Sequence, residues 1–177
     1  NILYGSGMVD KLQRSSKLTE GAVIFAYQVK DPHRFGIVEL GADQKAISLE
    51  EKPANPKSNF AVPGIYFYDG NVVEYARSLK PSPRGAIEIT DLNRIYLEKG
   101  QLSVETLGRG VAWLDAGTPE ALLQAANFIQ TVQERQGFMI SSPEEIAYRM
   151  GFIDREQLAH LAKRMKNPDY ARYLKEI

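Results

Sequence analysis

The period of the hydrophobic positions changes several times along the chain, and each change marks an element. Residues 21–29 (GAVIFAYQV) are apolar, β-branched and aromatic between polar flanks, which predicts a central strand buried on both faces. Residues 36–40 and 45–52 are extended stretches joined by a Gly/Ala/Asp turn at 41–43; they read as a hairpin or meander that Pro53 and Pro56 stop. Residues 62–68 (VPGIYFY) are apolar again, but Pro63 and Gly64 predict an edge, a bulge or a close approach of backbone to ligand, with the better strand in the second half. Helical spacing follows over 71–80, ended by Pro81, and over 88–99, where Ile89, Leu92, Ile95 and Tyr96 share a face and Gly100 stands at the cap. Residues 102–107 alternate as a half-buried strand, and 111–114 lead as a buried strand to Asp115.

A helix start is then written plainly: Thr118 as N-cap, Pro119 at the first helical position and Glu120 in the first turn. The helix is expected to run to about Gln136, with Leu122, Ala125, Ala126, Ile129 and Val132 as its core face and Gly137 closing it. Beyond it, Ser142–Glu145 and Asp154–Gln157 read as capping boxes and Asn167-Pro168 opens a last helix. The pattern predicts an α/β layer structure with a mixed sheet over 1–137 and a helical C-terminal region over 138–177.

Composition narrows the chemistry. Lys plus Arg (22) balances Asp plus Glu (22), so no global field draws nucleic acid or an anionic membrane, and any anion site has to be local. The absence of cysteine removes disulfides, thiolate nucleophiles and zinc–thiolate sites, and it fits a reducing compartment, with the cytoplasm as the default location. Two histidines, His33 and His160, leave few candidates for a Ser/His/Asp triad and are expected at the surface. No run of about 18 apolar residues could span a bilayer. Asn1 to Tyr4 carry neither a starting methionine nor a secretory signal and lead straight into apolar sequence, so a cut chain is expected.

Three places could carry chemistry. Glu51 and Lys52 end a strand side by side before Pro53: lysine can neutralise a phosphate as a point charge and Glu51 can accept from hydroxyls, whereas the plain alternative is a solvated surface stretch. Arg84 stands on a loop before a helix, either gripping phosphate oxygens or exposed as an ordinary arginine. Asp115 falls at the C-terminal end of a strand, where ligands of open α/β sheets collect; it could hold Mg²⁺ together with substrate phosphates, or cap the next helix. The chain has no G-x-x-x-x-G-K-[ST] loop, no G-x-G-x-x-G and no H-E-x-x-H, which disfavours adenylate-type kinases, dehydrogenases and zincins.

Taken in order, NILYGSG (1–7), DPHRFGIVEL (31–40), SLEEKPANPKSNFAVPGIYFYD (48–69), PRGAIEITDLN (83–93) and LGRGVAWLDAGT (107–118) resemble the glucose-1-phosphate thymidylyltransferases. The resemblance implies the C-terminal portion of a Rossmann-like nucleotide-diphospho-sugar transferase fold, and formation of dTDP-glucose and pyrophosphate from dTTP and glucose 1-phosphate, towards dTDP-rhamnose. By motif, Glu51 would bond glucose hydroxyls, Lys52 and Arg84 would hold the sugar phosphate, and Gly36, Val62, Gly64 and Tyr66 would shape the pocket. Asp115 would be one of two Mg²⁺ carboxylates; Asn1 matches the asparagine of the L-G-D-N motif, whose preceding aspartate is the other.

That aspartate and the family's glycine-rich G-G-x-G-T-R-L loop are not among these residues, so the chain is expected to lack the nucleotide-binding half. On its own it would then be a non-catalytic module that binds sugar phosphate and assembles. Ala86 departs from the glutamate that many relatives carry after R-G. Gly108, Arg109, Glu145, Ile146 and Arg149 match a second, regulatory nucleotide site, and the helical end implies a homotetramer, a dimer of dimers.

Overall fold

The 21–29 run becomes the strand around which the first part of the protein is organised. A computed structural model describes residues 1–177, which form two compact units, Asn1–Asp115 and Ala116–Ile177. In the first unit, strand β1 spans Ile2–Gly5, helix α1 Met8–Ser15, β2 Ala22–Gln28, β3 Gly36–Leu40 and β4 Ala46–Glu51. They are followed by β5 (Phe60–Ala61), β6 (Tyr66–Tyr68), α2 (Val72–Ser78), α3 (Ile89–Glu98), β7 (Leu102–Leu107) and β8 (Val111–Leu114).

One edge of β2 takes β6 opposite Ala22–Ile24 and β5 opposite Tyr27–Gln28, both antiparallel, and the other edge takes β7 in parallel. β3 joins β5 and pairs with β4 as the expected hairpin, with an irregularity between Glu39 and Leu40, so the sheet is mixed. Side chains of β2 alternate between two cores. Phe25 packs with Met8, Leu107 and Val111, while Ile24 and Ala26 pack with Val38 and Leu49. A third cluster, Ala22 with Leu92 and Tyr96, fixes α3 to the sheet.

Pro63 and Gly64 interrupt the 62–68 run where expected: β5 ends before it, at Ala61, and only the second half of the run forms a strand, β6. β1 and α1 have no counterpart in the sequence reading. β1 pairs only with β8, as a separate two-stranded ribbon (Ile2↔Leu114 to Gly5↔Val111). Asp115 therefore ends a half-exposed ribbon strand and not a buried strand of the main sheet, because β8 pairs with the start of the chain and not with β7.

The second unit is all helix: α4 (Pro119–Gln136), α5 (Pro143–Arg149), α6 (Arg155–Arg164) and α7 (Pro168–Glu176). The start signals are realised as hydrogen bonds. Thr118 accepts from the Ala121 N–H, Ser142 from Glu145, Asn167 from Asp169 and Tyr170, and Asp154 completes a capping box with Gln157. Gly137 caps α4 at φ 74°, in the left-handed region. The expected core face of α4 is corrected: of that stripe only Ala125 is buried, and Leu122 is 56% exposed, left uncovered by the other helices of its unit. Contacts also group α4 with the other helices, so the compact units divide at Asp115/Ala116, whereas the sequence division stood at 137/138.

Candidate functional site

The end of the β3–β4 hairpin builds a cleft. Gly36 pairs with Glu51 across the hairpin, the Lys52 N–H donates to the Phe35 carbonyl at 3.0 Å, and the Val62 N–H donates to the Gly36 carbonyl at 2.8 Å. Lys52 itself sits at φ 42°, left-handed and uncommon for a side chain of this kind; such strain gathers at ligand sites.

The cleft holds about 240 Å³ and is lined by Asn1, Gly36, Glu51, Lys52, Val62, Gly64, Tyr66 and Asp115, all of which the sequence reading singled out. It is also lined by Arg34, Phe35, Ile89, Thr90, Asn93 and Trp113, which that reading did not single out as site residues.

Each wall has a physical cause. Thr90, buried in the first turn of α3, donates its hydroxyl to Glu51 Oε2 at 2.5 Å. A Cβ at Gly36 would come within 3.0 Å of that Thr90 oxygen and 3.2 Å of Glu51 Oε2, so the position suits glycine. Asn1 is held in place because its Oδ1 accepts from Trp113 Nε1 at 2.7 Å and from the Gly64 N–H at 3.4 Å. A Cβ at Gly64 would meet Asn1 Nδ2 at 2.4 Å; the close approach expected there is to Asn1. Trp113 is packed between Tyr27 (centroids 5.7 Å) and Phe35 (4.9 Å). Burial, and then the charge of Glu51, pushes the Tyr66 phenol above its usual pKa, so it stays a donor.

Charges in the cleft are paired unevenly. Arg34 Nη2 reaches Asp115 Oδ2 at 3.2 Å, with both side chains part exposed. Lys52 is exposed and forms no ion pair, which leaves it the cation open to an incoming anion. Arg84 does not line this cleft. It stands in an adjoining one of about 380 Å³, paired with Glu51 Oε1 at 3.5 Å and Glu88 Oε1 at 3.4 Å, and Glu51 is the wall between the two.

For a metal, no group of three or more His, Cys, Asp or Glu side chains forms a self-sufficient site. Asp115 offers a single carboxylate at the cleft, a donor that fits Mg²⁺ when phosphate oxygens and water complete the shell.

The other expected residues fall in both units. Gly108 and Arg109 line a cleft of about 410 Å³ with Tyr27 and Phe60. Glu145 and Arg149 line one of about 390 Å³ in the helical unit, where Arg149 Nε donates to Glu145 Oε1 at 2.6 Å and the Tyr173 hydroxyl donates to Glu145 Oε2. Ile146 is exposed on the same helix but does not line that cleft.

The sequence profile of the family described as Nucleotidyl transferase matches residues 1–132. The chain belongs to that family. It is 53% identical over 174 residues to a glucose-1-phosphate thymidylyltransferase of Xanthomonas campestris, covering 98% of this chain and 59% of that protein. It is 53% identical over 177 residues to one from Mycobacterium tuberculosis, covering 100% and 61%. The chain thus spans about 60% of the length of these curated relatives.

Among solved structures, a protein of Bacillus anthracis assigned as a glucose-1-phosphate thymidylyltransferase, in complex with sucrose, superposes at TM-score 0.62 with 39% identity. The match covers 71% of this chain and 50% of that one. A UDP-glucose pyrophosphorylase complexed with UDP-glucose superposes at TM-score 0.58 with 20% identity, over 70% of this chain and 48% of that one; at that identity it speaks to the fold alone. The fold is accordingly the α/β nucleotidyltransferase fold expected from the motifs. No helix is long and apolar enough to cross a membrane.

Proposed function

We propose that the cleft between the β3–β4 hairpin and α3 is the sugar-phosphate side of a glucose-1-phosphate thymidylyltransferase, which joins dTTP and glucose 1-phosphate into dTDP-glucose. The observation that carries this reading is the meeting of one unpaired cation, Lys52, with the hydroxyl-reading groups Glu51, Asn1 and Tyr66 in a single cleft. A hexose phosphate needs that combination: a point charge for the phosphate and fixed acceptors and donors for the ring.

In the reaction, an oxygen of the glucose 1-phosphate attacks the α-phosphorus of dTTP. A new P–O bond forms, the α–β bridge breaks, and pyrophosphate leaves with the bond's electron pair. Lys52 holds the attacking phosphate, while Gly36, Val62 and Gly64 let backbone approach the sugar. Arg84 is a second phosphate cation that has to leave Glu51 and Glu88 to act. Asp115 would hold Mg²⁺, which supplies Lewis-acid neutralisation of the phosphate charge. The chain spans about 60% of the length of its curated relatives, and this reading assigns the triphosphate to the part of their length that it does not span.

Further parts of the reading are a cytoplasmic enzyme of the dTDP-rhamnose route, a homotetramer built through the helical region 138–177, and a regulatory nucleotide site using Gly108, Arg109, Glu145, Ile146 and Arg149. The test is pyrophosphate release from dTTP and glucose 1-phosphate with Mg²⁺ by the protein that carries this chain. Lys52→Ala should cut kcat/KM for glucose 1-phosphate more than about tenfold and leave the KM for dTTP unchanged. Full activity in that variant would remove Lys52 from the site.

A further inference from the structure

Helix α3 buries two polar side chains one turn apart, Thr90 and Asn93, on the stripe that also carries Leu92 and Tyr96. Thr90 is accounted for by Glu51. Asn93 is 1% exposed and lines the cleft, and its Oδ1 accepts the Tyr68 hydroxyl at 2.6 Å. Tyr68 is itself fixed in a stack between Tyr66 (centroids 6.0 Å, 16°) and Tyr96 (5.5 Å, 29°). Burial, with Tyr66 and Tyr96 adding to it, raises the Tyr68 pKa, so the phenol keeps its proton and donates.

The donor from Tyr68 fixes which end of the Asn93 amide is left over. Nδ2 has no hydrogen-bond partner in the chain, yet the one fully enclosed side-chain N or O atom without a partner is Ser15 Oγ. The Asn93 NH₂ therefore opens on the cleft. A nearly buried amide donor with no partner is costly unless something accepts from it, and a carboxylate or phosphate is not required for that: a neutral oxygen suffices.

Resting on the sugar-phosphate reading above, we propose that Asn93 is a specificity-determining residue: its NH₂ donates to one hydroxyl oxygen of the bound sugar, with Tyr68 setting the amide's orientation. A site that offers a fixed donor rejects an analogue lacking the matching oxygen, because the donor is then left unpaired.

Calorimetric titration of the chain with glucose 1-phosphate and its 2-, 3-, 4- and 6-deoxy analogues tests this. In the wild type, one analogue should bind about tenfold more weakly than glucose 1-phosphate. In Asn93→Ala that difference should vanish while the ratios for the other analogues stay, and in Tyr68→Phe it should shrink because the amide is free to turn. The side-chain NH₂ resonances of Asn93 should also shift when glucose 1-phosphate is added to the wild type, a readout independent of whether either variant folds. Unchanged ratios in a folded Asn93→Ala, or unmoved NH₂ resonances while glucose 1-phosphate binds, overturn the role of Asn93 and leave the cleft assignment standing. Failure of the wild type to bind glucose 1-phosphate overturns both.

Discussion

The Thr90 hydroxyl donates to Glu51 across 2.5 Å, tying the first turn of α3 to the last residue of β4. A carboxylate that reads sugar hydroxyls has to be held in one rotamer, and this bond holds it from a buried helix face. Thr90→Val keeps the shape and removes the donor. We expect glucose 1-phosphate binding to weaken by about 1–2 kcal/mol, with Thr90→Ser restoring most of it. Titration calorimetry on the three proteins is the check, and equal affinities would detach Thr90 from the site.

Lys52 should act on the phosphate alone. Lys52→Ala is expected to lower affinity for glucose 1-phosphate about tenfold or more and to flatten its dependence on salt, while the much weaker binding of glucose is unchanged. Titrations at two ionic strengths separate the charge from the ring.

Asp115 is expected to respond to metal only in company with phosphate. Mn²⁺ should broaden resonances of residues around Asp115 when glucose 1-phosphate is present and much less without it, since one carboxylate gives too few ligands. Asp115→Asn should abolish the broadening. The substitution also removes the charge that Arg34 meets at 3.2 Å, and this exposed pair contributes little to stability.

Asp69 gives the first unit an acid-sensitive joint. The buried carboxylate accepts from the Gly21 N–H at 2.8 Å, from the Tyr96 hydroxyl at 2.8 Å and from Asn71, and those bonds hold its pKa below the ordinary 3.8, the Gly21 bond most. Its folded pKa is depressed, so the folded chain binds fewer protons than the unfolded one. The stabilisation is fully present above the unfolded value and is lost as the pH falls through the folded value. Denaturant titrations between pH 6 and about pH 3 should show this loss in the wild type, and Asp69→Asn should start less stable and lose less.

The helical unit should depend on its caps. Asp154→Ala removes both the Gln157 N–H bond and the reason for the reciprocal Gln157 contact, and a cost of about 1 kcal/mol is expected for α6. Thermal unfolding of the chain, followed at the tyrosines of α7, reports it.

What could be read in advance was whatever is local. The Thr118-Pro119 start, Gly137 and the 21–29 run carry their own signals in a few neighbouring residues, and each became the element it predicted. β1 did not, because Ile2–Gly5 is a strand only through its pairing with Val111–Leu114 at the far end of the unit. α1 opens at Gly7 in the left-handed region with no side-chain cap, so it lacks the start signal that marked α4 to α7.

In the cleft, Asn1, Gly36, Glu51, Lys52, Val62, Gly64, Tyr66 and Asp115 were singled out in advance, whereas Arg34, Phe35, Ile89, Thr90, Asn93 and Trp113, which lie within the same motifs, were not. Thr90 and Asn93 were not among the residues expected on the core face of α3, yet they are buried, and Ile89, expected there, is 41% exposed. Two polar residues i, i+3 apart alongside the Leu92 and Tyr96 positions were the available signal.

The most direct test of the central claim is titration of the 177-residue chain with glucose 1-phosphate, glucose and dTTP, wild type beside Lys52→Ala. Binding of glucose 1-phosphate well above glucose, weakened by Lys52→Ala and with resonance shifts at Glu51, Tyr66 and Asn93, is the predicted result. Glucose 1-phosphate binding no tighter than glucose, or binding indifferent to Lys52, would contradict the assignment of this cleft to a sugar phosphate.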